Sequence, residues 1–138
     1  MSAEKPPTVL ELIWNHDLVF SGKSGNVNLV LDSSSVEGPS PMQALAFGLA
    51  ACMGMDVVHV ITKGRFALRG LRAKLVGRRA ADEPRRFTGI DLHFTVTGEV
   101  PPDKVARAIE LSREKYCSVW HSMQSDIDLN VTFQVVSE

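Results

Sequence analysis

The feature that most constrains the fold is an apolar run near the middle of the chain, from Ala44 to Ile61. Its apolar residues would surround a helix on nearly every side rather than form one stripe. Such a helix must be buried centrally in its own chain or against another subunit. Asp56, His59, Gly48 and Gly54 interrupt the run, so the pattern favours a buried helix over a membrane span.

Local signals set the limits of this helix. Ser40 is placed to be the N-cap, Pro41 occupies the first helical position, and Gln43 stands where a capping-box side chain reaches back. Lys63 and Gly64 are typical of a helix end. The sequence therefore predicts a first helix from about residue 41 to residue 63.

Strands are predicted on both sides of this helix. Before it, VLELIW, DLVFSG and NVNLVLD predict two or three short strands. After it, alternation from Leu71 and again from Ile90 predicts two strands, which the loop AADEPRR would join as an antiparallel hairpin. A closing strand is expected over residues 127 to 135, where apolar and polar residues alternate.

Two more helices are predicted between the hairpin and the closing strand. Pro101 and Pro102 would open a second helix that runs to about Tyr116 or Cys117. Ser118 would cap a short helix over residues 119 to 124. The order of elements predicts an α+β fold rather than a parallel wound sheet.

Size and charge restrict the class of protein. At 138 residues the chain fits one domain, 1–138, in which residues 1–8 should fray. A formal net charge of -1 argues against general binding of nucleic acid or membrane surfaces. The first residues lack the apolar core of a signal peptide, so we expect the cytoplasm.

Positive charge is nevertheless concentrated in one stretch. Nine of the fifteen Lys and Arg lie between Lys63 and Arg86. This stretch is either a solvated strand face with its connecting loop or an anion-binding surface.

The two cysteines each have two readings from their positions alone. Cys52 lies mid-helix, where it is either a small buried hydrophobe or a nucleophile whose thiolate some other group must stabilise. Cys117 lies where a new helix begins. It is either a packing residue or a reactive sulfur that the unpaired N–H groups of the helix start would favour. Their separation of sixty-five residues excludes a CxxC motif. The separation does not determine whether the two cysteines are in contact in the folded protein.

Other chemically active residues give weaker signals. Asp56 lies four residues after Cys52 and is its better neighbour on the helix. A carboxylate would raise the pKa of a nearby thiol and would therefore be a poor activator. We expect structural roles for Asp56 and His59. His121 either shares a face with Cys117 or lies on the surface. The scattered Cys and His lack the spacing of a metal site, and no cofactor-binding motif is present.

Two motifs, SPMQALAFGLAACMGMDVV around Cys52 and REKYCSV around Cys117, resemble the family of osmotically induced protein C and the organic hydroperoxide resistance proteins. The resemblance covers about residues 9 to 136 and is closer to the broader branch that resembles osmotically induced protein C. It implies an intertwined homodimer, with antiparallel sheets wrapped around two central helices and active sites at the subunit interface.

The resemblance also implies the chemistry. Cys52 would attack a hydroperoxide and become a sulfenic acid, Cys117 would condense with it to a disulfide, and an external dithiol would reduce that disulfide. The hydroperoxide resistance branch pairs its reactive Cys with a Glu after the helix-opening Pro and with an Arg from the N-terminal segment. Here Met42 and Gln43 follow Pro41, and residues 1–64 contain no Arg.

Three hypotheses follow for function. The first is a peroxidase that prefers organic hydroperoxides, with Met42, Gln43 and Asp56 as pocket or supporting residues and an activating Arg drawn from residues 65–86 of either subunit. The second is a non-enzymatic homodimer that binds a small molecule in an interfacial apolar pocket, which the missing Arg–Glu pair favours. The third is an anion or nucleic-acid binder that uses the basic stretch.

Overall fold

The computed structural model describes residues 4–137, which form an α+β fold as predicted. Of the segment expected to fray, residues 1–3 lie outside the described residues. A π-helical turn, Ser112–Tyr116, follows the second helix. The elements are β1 (Glu11–His16), β2 (Val19–Ser24), β3 (Val27–Asp32), α1 (Pro41–Lys63), β4 (Ala67–Arg79), β5 (Phe87–Glu99), α2 (Pro102–Leu111), α3 (Ser118–His121) and β6 (Asp128–Val136).

The chain divides into two compact units, one that ends at Leu45 and one that begins at Ala46. The first unit contains an antiparallel sheet in the order β1-β2-β3. Most of its large apolar side chains are exposed, because three short strands cannot bury them. These side chains are Leu12, Ile13, Trp14, Phe20, Val27 and Leu29.

The predicted capping box at the start of α1 is confirmed. The Gln43 N–H donates to Ser40 Oγ at 3.1 Å, and the Ser40 N–H donates to Gln43 Oε1 at 2.9 Å. The Ser35 hydroxyl also donates to Gln43 Oε1, at 2.6 Å. Gln43 is thus engaged in fixing the start of the helix.

The second unit is built on the remainder of α1 and a sheet in the order β4-β5-β6. The hairpin of β4 and β5 is antiparallel, as predicted. Gly54 on α1 faces this sheet, since a Cβ there would lie 3.7 Å from the Phe94 ring. The core combines one stripe of α1 with the inner face of β5, namely Leu49, Met53, Val57, Ile61, Ile90, Leu92, Phe94 and Val96.

One strand pairing differs from the antiparallel sheets expected. β6 pairs with β5 in parallel, with Leu92 opposite Val131. The segment between these strands contains α2, the π-helical turn and α3, and it is long enough to carry the chain back to the end of the sheet where β5 began.

α1 is only partly covered within this chain. Its stripe from Leu49 to Ile61 is buried, whereas Phe47 and Met55 are 69% and 70% exposed. By length and composition α1 could cross a membrane, with a mean hydropathy of 1.9 over eighteen residues. A helix apolar on all sides is equally typical of one that other protein surfaces cover.

Candidate functional site

The second unit brings the two cysteines together. Cys52 lies on α1 and is half-buried, while Cys117 lies between the π-helical turn and α3 and is fully buried. Both are free thiols. The two thiols are close together, because Cys52 raises the pKa of the Cys117 thiol through a hydrogen bond and through its charge.

Contacts on both sides of Cys52 hold the Cys117 segment against α1. Before Cys52, a Cβ at Gly48 would lie 3.9 Å from the Val119 side chain, so α3 approaches the helix closely there. After it, the Ser112 hydroxyl donates a hydrogen bond of 2.7 Å to Asp56 Oδ2. Cys52 lies between these contacts, about one helical turn from each along α1.

The short helix α3 begins differently from the prediction. Cys117, not Ser118, is its N-cap, and the Trp120 N–H donates to Cys117 Sγ at 3.3 Å. The prediction that Ser118 is the cap is therefore wrong. The prediction relied on the usual preference for a side-chain oxygen at the N-cap. In the structure α3 begins one residue earlier, because the π-helical turn ends at Tyr116.

Burial raises the pKa of the Cys117 thiol to about 11. The hydrogen bond from the Trp120 N–H opposes this shift, since it stabilises the thiolate, whereas Cys52 and Asp56 add to it. Cys117 is therefore protonated at neutral pH. A buried thiol that stays protonated at neutral pH suits the thiol that reacts second.

Ser112 links the two cysteine-bearing segments and was not predicted from the sequence. Its side chain is fully buried and its hydroxyl contacts Asp56, while its carbonyl accepts a hydrogen bond from the Cys117 N–H at 2.8 Å. The signal was present, because Ser112 continues the apolar stripe of Val105, Ala108 and Ile109 at helical spacing. A hydroxyl on a buried stripe requires a partner.

Three arginines of the basic stretch form ion pairs with carboxylates. Arg78 contacts Asp91 at 2.8 Å, Arg86 contacts Asp126, and Arg85 contacts Glu83. These contacts agree with a solvated strand face. On the Cys117 segment itself, the Arg113 guanidinium lies 5.9 Å from the centre of the Trp120 ring.

The remaining candidates have different places. Met42 is half-buried in the first turn of α1, in the other compact unit together with Gln43. His59 is exposed, and His121 Nε2 lies 3.0 Å from the Arg113 carbonyl. No group of three or more His, Cys, Asp or Glu within residues 4–137 is arranged to hold a metal ion.

Two openings flank the second half of α1. A groove of about 660 Å³ follows the exposed apolar side of the helix and is lined by Phe47, Met55, Val58 and Phe94 among others. A cavity of about 570 Å³ has both apolar and polar lining, including Asp56, Val60, Lys63, Leu111 and Tyr116. Its lining includes Asp56, one helical turn beyond Cys52, and Tyr116, the residue before Cys117, but neither cysteine.

Comparison with known proteins identifies relatives over most of the chain. The family model described as OsmC-like protein matches residues 32–132. Protein YhfA from Escherichia coli K12 is 37% identical over 127 residues, covering 90% of this chain and 95% of its own.

Solved structures agree with the observed fold. A hypothetical protein from Aquifex aeolicus is 25% identical with a TM-score of 0.90, and the match covers 97% of this chain and 99% of that one. The organic hydroperoxide resistance protein OsmC from Legionella pneumophila has a TM-score of 0.71 at 17% identity, covering 96% of this chain and 100% of that one. At this identity the likeness shows the fold alone.

Proposed function

Because this chain belongs to the OsmC-like protein family, we propose that it is a thiol-dependent peroxidase that reduces organic hydroperoxides in oxidative-stress defence. The observation that carries the proposal is the pairing of two free thiols, Cys52 on α1 and Cys117 close enough for Cys52 to raise its pKa. We assign Cys52 as the attacking residue and Cys117 as the residue that resolves the intermediate.

The reaction takes place in three steps. The Cys52 thiolate attacks one peroxide oxygen, the O–O bond breaks, and the other oxygen takes a proton and leaves as the alcohol. Cys52 then carries a sulfenic acid. The Cys117 sulfur displaces its hydroxyl as water and forms the disulfide. An external dithiol reduces the disulfide by exchange and leaves in its oxidised form.

The raised pKa of the Cys117 thiol places its reaction after that of Cys52. While Cys52 is a thiolate, its charge opposes ionisation of Cys117 and contributes to the raised pKa of the Cys117 thiol. Conversion of Cys52 to a protonated sulfenic acid removes that charge. Cys117 then ionises more readily, so the second thiolate forms when its target has been made.

The cavity lined by Asp56 and Tyr116 supports organic rather than inorganic peroxide as substrate. Its apolar lining, which includes Val60, Leu111 and the Tyr116 ring, suits the carbon skeleton of an alkyl hydroperoxide. Hydrogen peroxide has no apolar part to place there. We expect cumene hydroperoxide to be consumed with a higher kcat/KM than hydrogen peroxide when dithiothreitol is the reductant.

A steady-state assay tests this proposal. Consumption of cumene hydroperoxide should depend on protein concentration and exceed the rate with dithiothreitol alone. Equal rates with and without protein would contradict the proposed peroxidase function, and a preference for hydrogen peroxide would contradict the assignment of substrate class.

Disulfide formation should accelerate as pH rises. Burial raises the pKa of Cys117 to about 11, so the reactive thiolate is a small fraction at neutral pH. That fraction grows about tenfold per pH unit below the pKa, so the rate of disulfide formation should rise steadily between about pH 6 and pH 8. Rapid-quench measurement of disulfide formation from the Cys52 sulfenic acid at a series of pH values would show this increase. A rate that is flat or falls with pH would contradict Cys117 as the attacking thiol.

We also propose that the working unit is a homodimer. The exposed apolar side of α1 and the exposed apolar side chains of the β1-β2-β3 sheet form larger patches than soluble monomers usually leave uncovered. A second copy of the chain presents the same surfaces and could cover both. We place the protein in the cytoplasm, where a reducing environment returns both thiols to their free form.

The groove along α1 favours one alternative function. Its lining is almost wholly apolar, so a non-enzymatic homodimer could hold an apolar small molecule there, with the cysteines only as packing residues. Native mass spectrometry of freshly purified protein distinguishes the two. A retained small molecule together with inert thiols would support the alternative, whereas an empty dimer with peroxidase activity would contradict it.

A further inference from the structure

We propose that Asp56 and Ser112 are positioning residues that align Cys117 with Cys52 for disulfide formation. The inference rests on the proposed peroxidase function and assigns to these residues one step of that reaction, the condensation of Cys117 with the Cys52 sulfenic acid. Ser112 is fully buried and outside the lining of the substrate cavity, so it is not expected to contact the hydroperoxide during the first step.

A directional hydrogen bond ties the two cysteine-bearing segments together. Asp56 lies on α1, four residues after Cys52, and its Oδ2 accepts the Ser112 hydroxyl at 2.7 Å. Ser112 is fully buried, so water does not compete for its hydroxyl. A hydrogen bond from a buried hydroxyl to a carboxylate is short and among the stronger kinds in proteins.

The same serine holds Cys117 through its backbone. The Ser112 carbonyl accepts the Cys117 N–H at 2.8 Å, across the π-helical turn. Asp56, Ser112 and Cys117 therefore form a continuous path from α1 to the second thiol. Single π-helical turns within helices are often found at functional sites, and here the turn leads directly to Cys117.

The contact on the other side of Cys52 cannot replace this path. A Cβ built at Gly48 would lie 3.9 Å from the Val119 side chain, so any contact here is apolar and sets no direction. A disulfide requires the two Cβ atoms to be about 3.5–4.5 Å apart with a defined dihedral angle. The hydrogen-bonded path through Ser112 supplies the direction.

Variants of the two residues separate this role from the first step. In Ser112→Ala and Asp56→Ala the path is broken, so disulfide formation should slow by about tenfold to a hundredfold, because small misplacement of reacting groups has effects of that size. Oxidation of Cys52 should keep its wild-type rate in Ser112→Ala, because Ser112 does not line the substrate cavity. Asp56→Asn retains a carbonyl oxygen that can accept the Ser112 hydroxyl, so it should restore rapid disulfide formation.

The measurement follows reduced protein after one equivalent of cumene hydroperoxide, with rapid quenching and intact-mass detection. Gain of one oxygen reports the sulfenic acid, and loss of two hydrogens reports the disulfide. The double variant Asp56→Ala with Ser112→Ala should be no slower than either single variant, because both remove the same hydrogen bond. With excess peroxide, the slow variants should accumulate sulfinic acid.

Ser122→Ala is the matched control, since the Ser122 hydroxyl donates to the Ser118 carbonyl at the end of α3 and not to a residue of α1. It should form the disulfide at the wild-type rate. Wild-type disulfide rates in Ser112→Ala, or a rate in Asp56→Asn as low as in Asp56→Ala, would overturn the proposal. If Ser112→Ala fails to fold, the comparison of the two Asp56 variants decides it. Wild-type protein that gains no oxygen and loses no hydrogens would instead overturn the peroxidase function itself.

Discussion

Cys52→Ser should abolish the consumption of organic hydroperoxide, reducing it to the rate that dithiothreitol achieves alone. A serine hydroxyl remains protonated at neutral pH and cannot attack the O–O bond as a thiolate does. The substitution changes one atom on a half-buried position of α1, so the fold should persist. Residual activity well above the dithiothreitol background would show that Cys52 is a packing residue.

Cys117→Ser is the paired variant, and its effect should differ in kind. Without dithiol it should still reduce one equivalent of hydroperoxide and stop at the sulfenic acid, visible as the gain of one oxygen. The Trp120 N–H can then donate to the serine oxygen at the cap, so α3 should be retained. If this variant lost the first step as completely as Cys52→Ser does, the order assigned to the two thiols would be wrong.

Met55→Glu should dissociate the proposed homodimer. The Met55 side chain is 70% exposed on the groove side of α1, so a carboxylate there is tolerated in a single chain. At an apolar interface it would be buried without a partner, which should weaken association by at least about a hundredfold, in line with a penalty of several kcal/mol. Sedimentation velocity at micromolar concentration measures the change directly.

Val36→Glu is the control for this experiment. Val36 is 82% exposed in the loop before α1, and the substitution introduces the same charge outside the groove. It should leave the sedimentation coefficient unchanged. Wild-type protein that sediments as a monomer would contradict the proposed dimer, and a Met55→Glu protein that remains dimeric would exclude the groove as its interface.

Local patterns in the sequence were sufficient for the elements that depend on neighbouring residues. Ser40 and Gln43 are three residues apart, and the capping box they form needs nothing beyond the start of α1. The hairpin of β4 and β5 likewise follows from two alternating segments and a short loop. The direction of β6 could not be obtained in this way, because alternation with a period of two is the same for parallel and antiparallel strands.

The site was predictable only in part. Motifs identified Cys52 and Cys117, but their proximity depends on how α1 and the Cys117 segment pack, which spacing does not encode. The hydrogen bond between Asp56 and Ser112 joins residues fifty-six positions apart. Ser112 could have been flagged as a polar residue on the buried stripe of α2, yet its partner could not have been named.

The most direct test of the proposed thiol pair is the intact mass of the fully reduced protein after one equivalent of cumene hydroperoxide, followed by peptide mapping under non-reducing conditions. The proposed mechanism predicts loss of two hydrogens and one new peptide pair that joins the segments containing Cys52 and Cys117. Two thiols that remain free after prolonged exposure would contradict it.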